Sequence, residues 1–372
     1  MSQENISKKT MGRRAFVKRL GLAGAATLPI GAFLSIQPRA SAAFFGPRLS
    51  RGDEAILRFL AAAELIESDL WTQYAELGGI GNNPPIEVDP NQTLNAYQAA
   101  LSNLDSDGPQ YIASNTLDEV SHATFLNAYL EASGAEPVNL DKFRTLPGST
   151  ATGSTGIPRL TNLTQLNVDT SWFVRYRSTT NPDLGATFPQ AIALKGVTAI
   201  PVTDNDFSDA NHIQAIANTA AFHFGAIEQG GTSLYAALSQ KVTAPEVLQI
   251  TLSIGGDEIA HFLEWVDFAG NGVQAPVAPF TDTVSGLTFP DFFSPLNPLI
   301  QPSLIFPVPC EFISPNLPRV SIVRPTSDKV GGAMAAVAGL TESGLFIGQS
   351  RNFFVTLQGL AEAADAARRG EY

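Results

Sequence analysis

The sequence predicts an all-α protein organised on four long helices. Two observations carry this. Apolar residues recur at helical spacing in four separate stretches, most of them closed by glycine. The run Asp-Glu-x-x-His also occurs twice, at 118–122 and 257–261, each time inside one of those stretches. Residues three apart on a helix lie on nearly one face, about 60° apart around the axis. Each run therefore projects one carboxylate and one imidazole in the same direction.

The first helix spans Asp53 to about Leu77, with Ile56, Leu57, Leu60, Leu70, Trp71 and Tyr74 in its apolar stripe and Asp53 as N-cap. Glu64 and Glu67 interrupt the stripe on the face that should be buried. Gly78-Gly79 and Gly81 end it. A Pro/Asn loop (82–90) and a helical piece at about 92–104 follow. The Asp105–Pro109 turn leads into a second helix, about 109–133, which carries Glu119 and His122 and is closed by Gly134. Ser, Thr, Asn, Gly and Pro dominate 135–205, where Trp172, Phe173, Tyr176 and Phe188 indicate a segment that packs down. A long connection here suits a crossover between helices two and three. Periodicity returns from about Asp206 to Leu238, carrying Glu228. Thr243-Ala244-Pro245-Glu246 reads as an N-cap and first turn. That fourth helix runs to about Phe268, carries Glu258 and His261, and is stopped by Gly270 and Gly272. Residues 271–330 are dense in Pro and Phe and read as irregular chain wrapped on the helices. The Ala-rich end, 331–345 and 351–368, reads as one or two further helices, serving either an internal helix contact or a partner such as another copy of the chain.

Composition narrows the function. The chain has 372 residues, 44% hydrophobic and 16% charged, with a formal charge of −12. Residues 1–42 hold seven basic residues and one acid; without them the balance is 16 basic against 34 acidic, or −18. That excess argues against nucleic acid, whose binders need a basic face, and suits a protein that handles cations. Cys310 is the only cysteine, which excludes an intrachain disulfide and any Cys-based zinc or iron–sulfur site.

The N-terminus reads as an address. Gly12-Arg13-Arg14-Ala15-Phe16-Val17-Lys18 precedes an apolar run from Leu20 to Ile36, and Ala40-Ser41-Ala42 offers a small-x-small cleavage site. The order resembles a bacterial twin-arginine signal peptide over 1–42. The other reading is a retained anchor, for which the Pro- and Gly-containing run is marginal in length. The resemblance implies export to the periplasm or beyond, folded and with any cofactor loaded, meeting the membrane only during export.

The second half of the chain echoes the first. Tyr74 follows Glu67 by seven residues, and Tyr235 follows Glu228 by seven, two helical turns on one face. Each of these Glu-bearing helices precedes an Asp-Glu-x-x-His helix. In this register Glu64 falls opposite Gly225 and Glu67 opposite Glu228, so Glu67 is taken as the ligand. The metal set is then Glu67, Glu119, His122, Glu228, Glu258 and His261. One Glu from each of two helices with Glu-x-x-His from two others is the arrangement of di-iron and di-manganese carboxylate bundles. Over about 53–268, with 135–205 as an elaboration, the sequence resembles the ferritin-like superfamily, and more narrowly the exported ferritin-like proteins grouped with desiccation-related proteins. The resemblance implies a ferritin-like four-helix bundle with two Fe or two Mn ions. It also implies that Asp118 bonds His261 and Asp257 bonds His122.

Mixed oxygen and nitrogen ligation without thiolate suits Fe or Mn, and four carboxylates are a sensible counter-charge for two close cations. Glu64, one turn before Glu67, is an extra ligand, lines a way in, or sits beside the ligands at the surface. Tyr74 and Tyr235 are either redox-active or pack beside the site. Glu264 and His212 read as surface residues and His223 as a core histidine. Gly230-Gly231, just past Glu228, allows close helix approach or leaves room for a small oxidant. Two functions follow: a di-metal oxidoreductase acting on O2 or hydrogen peroxide (ferroxidase, oxidase or manganese-catalase-like) in oxidative or desiccation stress, or a non-catalytic metal-binding protective protein. The large insertions argue against a storage cage, and the lack of four Cys argues against rubredoxin-type electron transfer.

Overall fold

The computed structural model describes residues 49–78, 93–104, 108–170, 193–272, 278–290, 314, 316–320 and 332–371, all within one compact unit, Ser41–Tyr372. The twin-arginine segment, the 82–90 loop, the four aromatics from Trp172 to Phe188, Cys310 and most of the Pro/Phe-rich stretch lie outside the described residues. What is described is mainly helical. Four long helices, α1 (Arg51–Leu77), α2 (Gly108–Ala132), α3 (Ala210–Ser239) and α4 (Pro245–Gly272), are followed by two shorter ones, α5 (Ala333–Glu342) and α6 (Arg351–Ala366). Helix α1 packs on α2, α3 on α4, α6 on α1, and α5 on α6. No helix among the described residues is long and apolar enough to cross a membrane.

Helix α1 is enclosed from several sides, so its buried surface is far wider than one stripe. Ile56, Leu57, Leu60, Trp71, Tyr74 and Leu77 are all fully buried. Its N-cap is Ser50, whose hydroxyl accepts from the Asp53 amide at 3.0 Å, and not Asp53 itself as the sequence suggested. Asp53 then sits one turn in and is free to reach another element. Its carboxylate accepts from the Thr243 and Ala244 amides at 2.7 and 3.0 Å, tying α1 to the turn that opens α4.

Trp71 stacks on Phe224 and Trp265 at centroid distances of 5.2 and 5.1 Å, and Phe224 meets Trp265 tilted at 4.6 Å, which pins α1, α3 and α4 together. Tyr74 meets Phe224 edge-on at 4.6 Å.

Two expectations about local structure change. Of the helical piece expected at 92–104, the described residues 93–104 form a turn ending in a single 3-10 turn, Ala100–Asn103. The side chains of Asn95 and Gln98 each bond the other's amide, closing a tight turn that competes with a longer helix. The third helix begins at Ala210, because Asp209 is extended and caps it through the Asn211 amide; a separate 3-10 turn, Asp204–Ser208, precedes it.

The insertion after α2 contains a short antiparallel pair, β1 (Leu166–Asp169) with β2 (Ala193–Val197). A second small pair, β3 (Phe280–Thr281) with β4 (Thr288–Phe289), follows α4. The insertion is fastened to α1 by two carboxylates. Asp69 accepts from the Leu160 and Thr161 amides, the Thr161 hydroxyl and Arg144. Glu76 accepts from the Thr155 amide and hydroxyl and pairs with Arg159. The C-terminal segment, which the sequence left open between an internal contact and a partner, lies on α1: Asp365 of α6 accepts from the first amides of α5, Ala333 and Met334, both at 2.9 Å.

Candidate metal centre

The four long helices converge on one buried group of acids and imidazoles. Helix α1 supplies Glu64 and Glu67, α2 Glu119 and His122, α3 Glu228, and α4 Glu258 and His261. One ligand atom from each of Glu64, Glu119, His122 and Glu258 lies within 4.8 Å of the others. The same holds for Glu67, Glu119, Glu228 and Glu258, and for Glu119, Glu228 and His261. Glu119 belongs to all three groups, and Glu228 and Glu258 each belong to two. Glu119, Glu228 and Glu258 have no solvent exposure and Glu64 has 1%.

Both imidazoles are held the same way. His122 Nε2 lies 3.2 Å from Asp257 Oδ2, and His261 Nε2 lies 3.3 Å from Asp118 Oδ2. The cross-pairing follows from two antiparallel helices whose identical runs face each other. It turns each Nδ1 inward. His122 Nδ1 is 3.5 Å from both Glu64 Oε2 and Glu119 Oε2. His261 Nδ1 is 3.1 Å from Glu119 Oε1 and 3.4 Å from Glu228 Oε2. An imidazole whose outer N–H is held by a carboxylate presents its other nitrogen as a fixed, more basic donor, the usual support of a metal-bound histidine.

The polar bookkeeping is unusual for a protein interior. Among the described residues, eight buried ligand atoms have no hydrogen-bond partner: Glu64 Oε2, Glu67 Oε1, both oxygens of Glu119 and of Glu258, Glu228 Oε2 and His122 Nδ1. Buried carboxylates normally find donors, because an unpaired one loses its hydration without return. Burial, followed by the Glu119 charge, pushes the Glu64 carboxyl up to about 7. Burial and the neighbouring acids hold Glu67 and Glu258 well above the usual carboxylate range, and burial raises Glu228. Burial alone would lower His122, but the Asp257, Glu119 and Glu64 carboxylates carry it up to about 12. Without cations, the cluster relieves its repulsion by holding protons. A donor set of oxygen and imidazole nitrogen, with all of these atoms free, fits divalent metal ions.

Glu64 and Glu67 are both drawn in, which sharpens the choice the repeat made between them. Glu67 joins the group with Glu228, while Glu64 is the more deeply buried and the one beside His122. Residues three apart share a face, so the Tyr-to-Glu register separated two side chains that geometry keeps together. The tyrosines divide. The Tyr235 hydroxyl donates to Glu64 Oε1, leaving Oε2 for the centre. Tyr74 instead meets His223 Nδ1 at 2.6 Å and does not touch the cluster.

Glu264 is not a surface residue. It is half-buried, and burial pushes its carboxyl up to about 7. Asn115, with its oxygen 2.9 Å from Trp265 Nε1, donates to Glu264 Oε2 at 3.0 Å. Nothing in the sequence marks Asn115 beyond its place one turn before Glu119. His212 is likewise half-buried, with Nδ1 3.2 Å from Asp282 and Nε2 3.5 Å from Asp206. Gly231 has a specific role: a Cβ there would lie 1.9 Å from Glu258 Oε2, whereas at Gly230 it would meet nothing within 4 Å. Compared with known proteins, the chain matches no family model, no curated protein and no solved structure.

Proposed function

We propose that the chain is a ferritin-like four-helix bundle that holds two iron or two manganese ions and reacts with O2 or hydrogen peroxide, protecting against oxidative or desiccation stress. The observation that carries this reading is the set of eight unpartnered ligand atoms contributed by all four long helices, beside two imidazoles braced by outer carboxylates. Glu64 and His122 would hold one ion, and Glu228 and His261 the other. Glu119 and Glu258, shared between the groups as Glu228 is, would add their carboxylates to both, and Glu67 would add a further one. Five glutamates supply the negative charge that two close cations require. The bound ions would supply the redox electrons. The chain's own part is to fix the two Nδ1 donors through Asp118 and Asp257, to hold Glu64 through Tyr235, and to keep bulk water away from the carboxylates. The twin-arginine-like segment supports export in the folded state, after metal loading in the cytoplasm.

Metal analysis of the native protein, followed by Fe(II) oxidation and peroxide disproportionation assays, tests this. The expected outcome is two Fe or Mn per chain with turnover of one of these oxidants. A native protein that holds no metal and takes none up removes the proposal. Metal without turnover assigns the centre to sequestration or bundle stability.

A further inference from the structure

A cavity of about 540 Å3 opens beside the cluster, between α1, α3, the β1–β2 pair and the C-terminal helices. Its wall is mainly apolar, built from Phe59, Ile66, Leu70, Leu234, Val337 and Leu357. The exposed Lys195 and Glu342 stand at its rim. Asn167, Gln229, Ser233 and Ser343 also line it, and two further polar atoms in the wall have no hydrogen-bond partner among the described residues. Glu67 lines the cavity and its Oε1 has no protein partner. Beside it run Gly230 and Gly231, the latter in close approach to the Glu258 carboxylate, so the cavity reaches the metal ligands. The other is His223, a cavity-lining residue only 1% exposed, whose Nε2 also has no partner. Burial holds the Tyr74 phenol protonated and keeps His223 neutral, its pKa pushed down to about 3. The Tyr74 hydroxyl has no other acceptor among the described hydrogen bonds, so we assign it as the donor to Nδ1, which places the single imidazole proton on Nε2. The result is an unpartnered N–H donor in a mainly apolar wall, about 7.5 Å along α3 from Glu228.

We infer that this cavity binds an apolar organic molecule carrying one hydrogen-bond-accepting oxygen, taken by His223 Nε2–H, with the molecule's far end at Glu67. Its service as a substrate of the centre rests on the metal reading above. Size and lining both favour an organic molecule over the oxidant alone. A water-sized oxidant needs only about 30 Å3. Organic-ligand pockets run from about 300 to 1,000 Å3 and are mostly apolar, with a few convergent polar groups. An Fe(II) route would be lined with carboxylates, and among the described lining residues here Glu67 and the exposed Glu342 alone carry one.

The test uses 4-phenyl-2-butanone and n-butylbenzene, a pair that differs by the carbonyl, in equilibrium dialysis against the full chain. The ketone is expected to bind one to one, and at least fivefold more tightly than the hydrocarbon. His223→Leu should weaken the ketone about tenfold and leave the hydrocarbon unchanged. His223→Gln, which restores an N–H near the same place, should recover most of the loss. Ala336→Trp, on the α5 side of the cavity and away from the metal ligands, should abolish binding of both. In Mn(II)-loaded protein the bound ketone's proton resonances should broaden. Absence of saturable ketone binding, equal loss of both probes with His223→Leu, or indifference to Ala336→Trp would overturn the assignment; absence of broadening would overturn the link to the centre. The two readings fail separately. Metal uptake without ketone binding overturns the cavity alone, whereas ketone binding by a chain that takes up no metal supports the cavity and removes the metal centre.

Discussion

Gly231 makes an exchange visible that single residues usually hide. Alanine is the better helix former, by about 1 kcal/mol. Its Cβ, however, would stand 1.9 Å from Glu258 Oε2, so the fully buried Glu258 carboxylate has to leave its place in the cluster. Gly231→Ala should therefore keep its helical circular dichroism and lose metal, falling to one ion per chain or fewer by elemental analysis. Asp118 and Asp257 act at one remove, each steadying the imidazole of the opposite run. Asp118→Asn and Asp257→Asn should each weaken metal affinity about 10–100-fold in chelator competition, and unchanged affinity in both would assign the aspartates to solvent. These residues were legible because Asp-Glu-x-x-His at helical spacing is a local signal. Glu64 was only half legible. Its place beside His122 depends on how α1 and α2 are set against each other, and no internal repeat encodes that register.

At the scale of elements, the long helices were readable from apolar period and capping residues, whereas the insertion between α2 and α3 was not. The reason lies in what holds it. Residues 144–161 have no period because they are fastened by side chain-to-backbone bonds from carboxylates of α1, and such bonds leave no pattern in the segment they hold. Asp69 is the main anchor: at 2% exposure it accepts from two amides, one hydroxyl and Arg144. Asp69→Ala strands those donors in the interior, and should cost about 3 kcal/mol or more. The loss should appear as a lower urea midpoint, and as faster proteolytic cleavage between Arg144 and Arg159 than within α1. Asp53 is invisible for the same reason. Its sequence position suggests a cap of its own helix, but its carboxylate serves the turn before α4, 190 residues away.

For the whole molecule, the cluster sets the stability. Four buried glutamates and the half-buried Glu67, where four helices meet, oppose folding unless something neutralises them, and metal ions and protons are the two candidates. In the metal-free protein, the sign of the pH dependence follows from the raised carboxyls. Unfolded Glu64 releases its proton near 4.5, but the folded chain holds it until about 7. Between those values the folded state binds more protons, so stability is full below 4.5 and is lost as pH rises through 7. His122 works in the same direction from 6.5 upward, its folded value lying near 12. Asp257 opposes this, being held below its ordinary 3.8 by the His122 hydrogen bond, but it acts only in more acid solution. Metal-free protein should therefore melt at progressively lower temperature from pH 5 to pH 8. On the metal reading proposed above, bound ions would replace the protons, and the loaded protein should show little of that decline. The gap between loaded and metal-free melting temperatures, read by calorimetry, is expected to widen steadily from pH 5 to pH 8, with protons released on metal uptake. A gap that is constant across this range, or that narrows with rising pH, would mean that the buried acids are neutralised by something other than the ions.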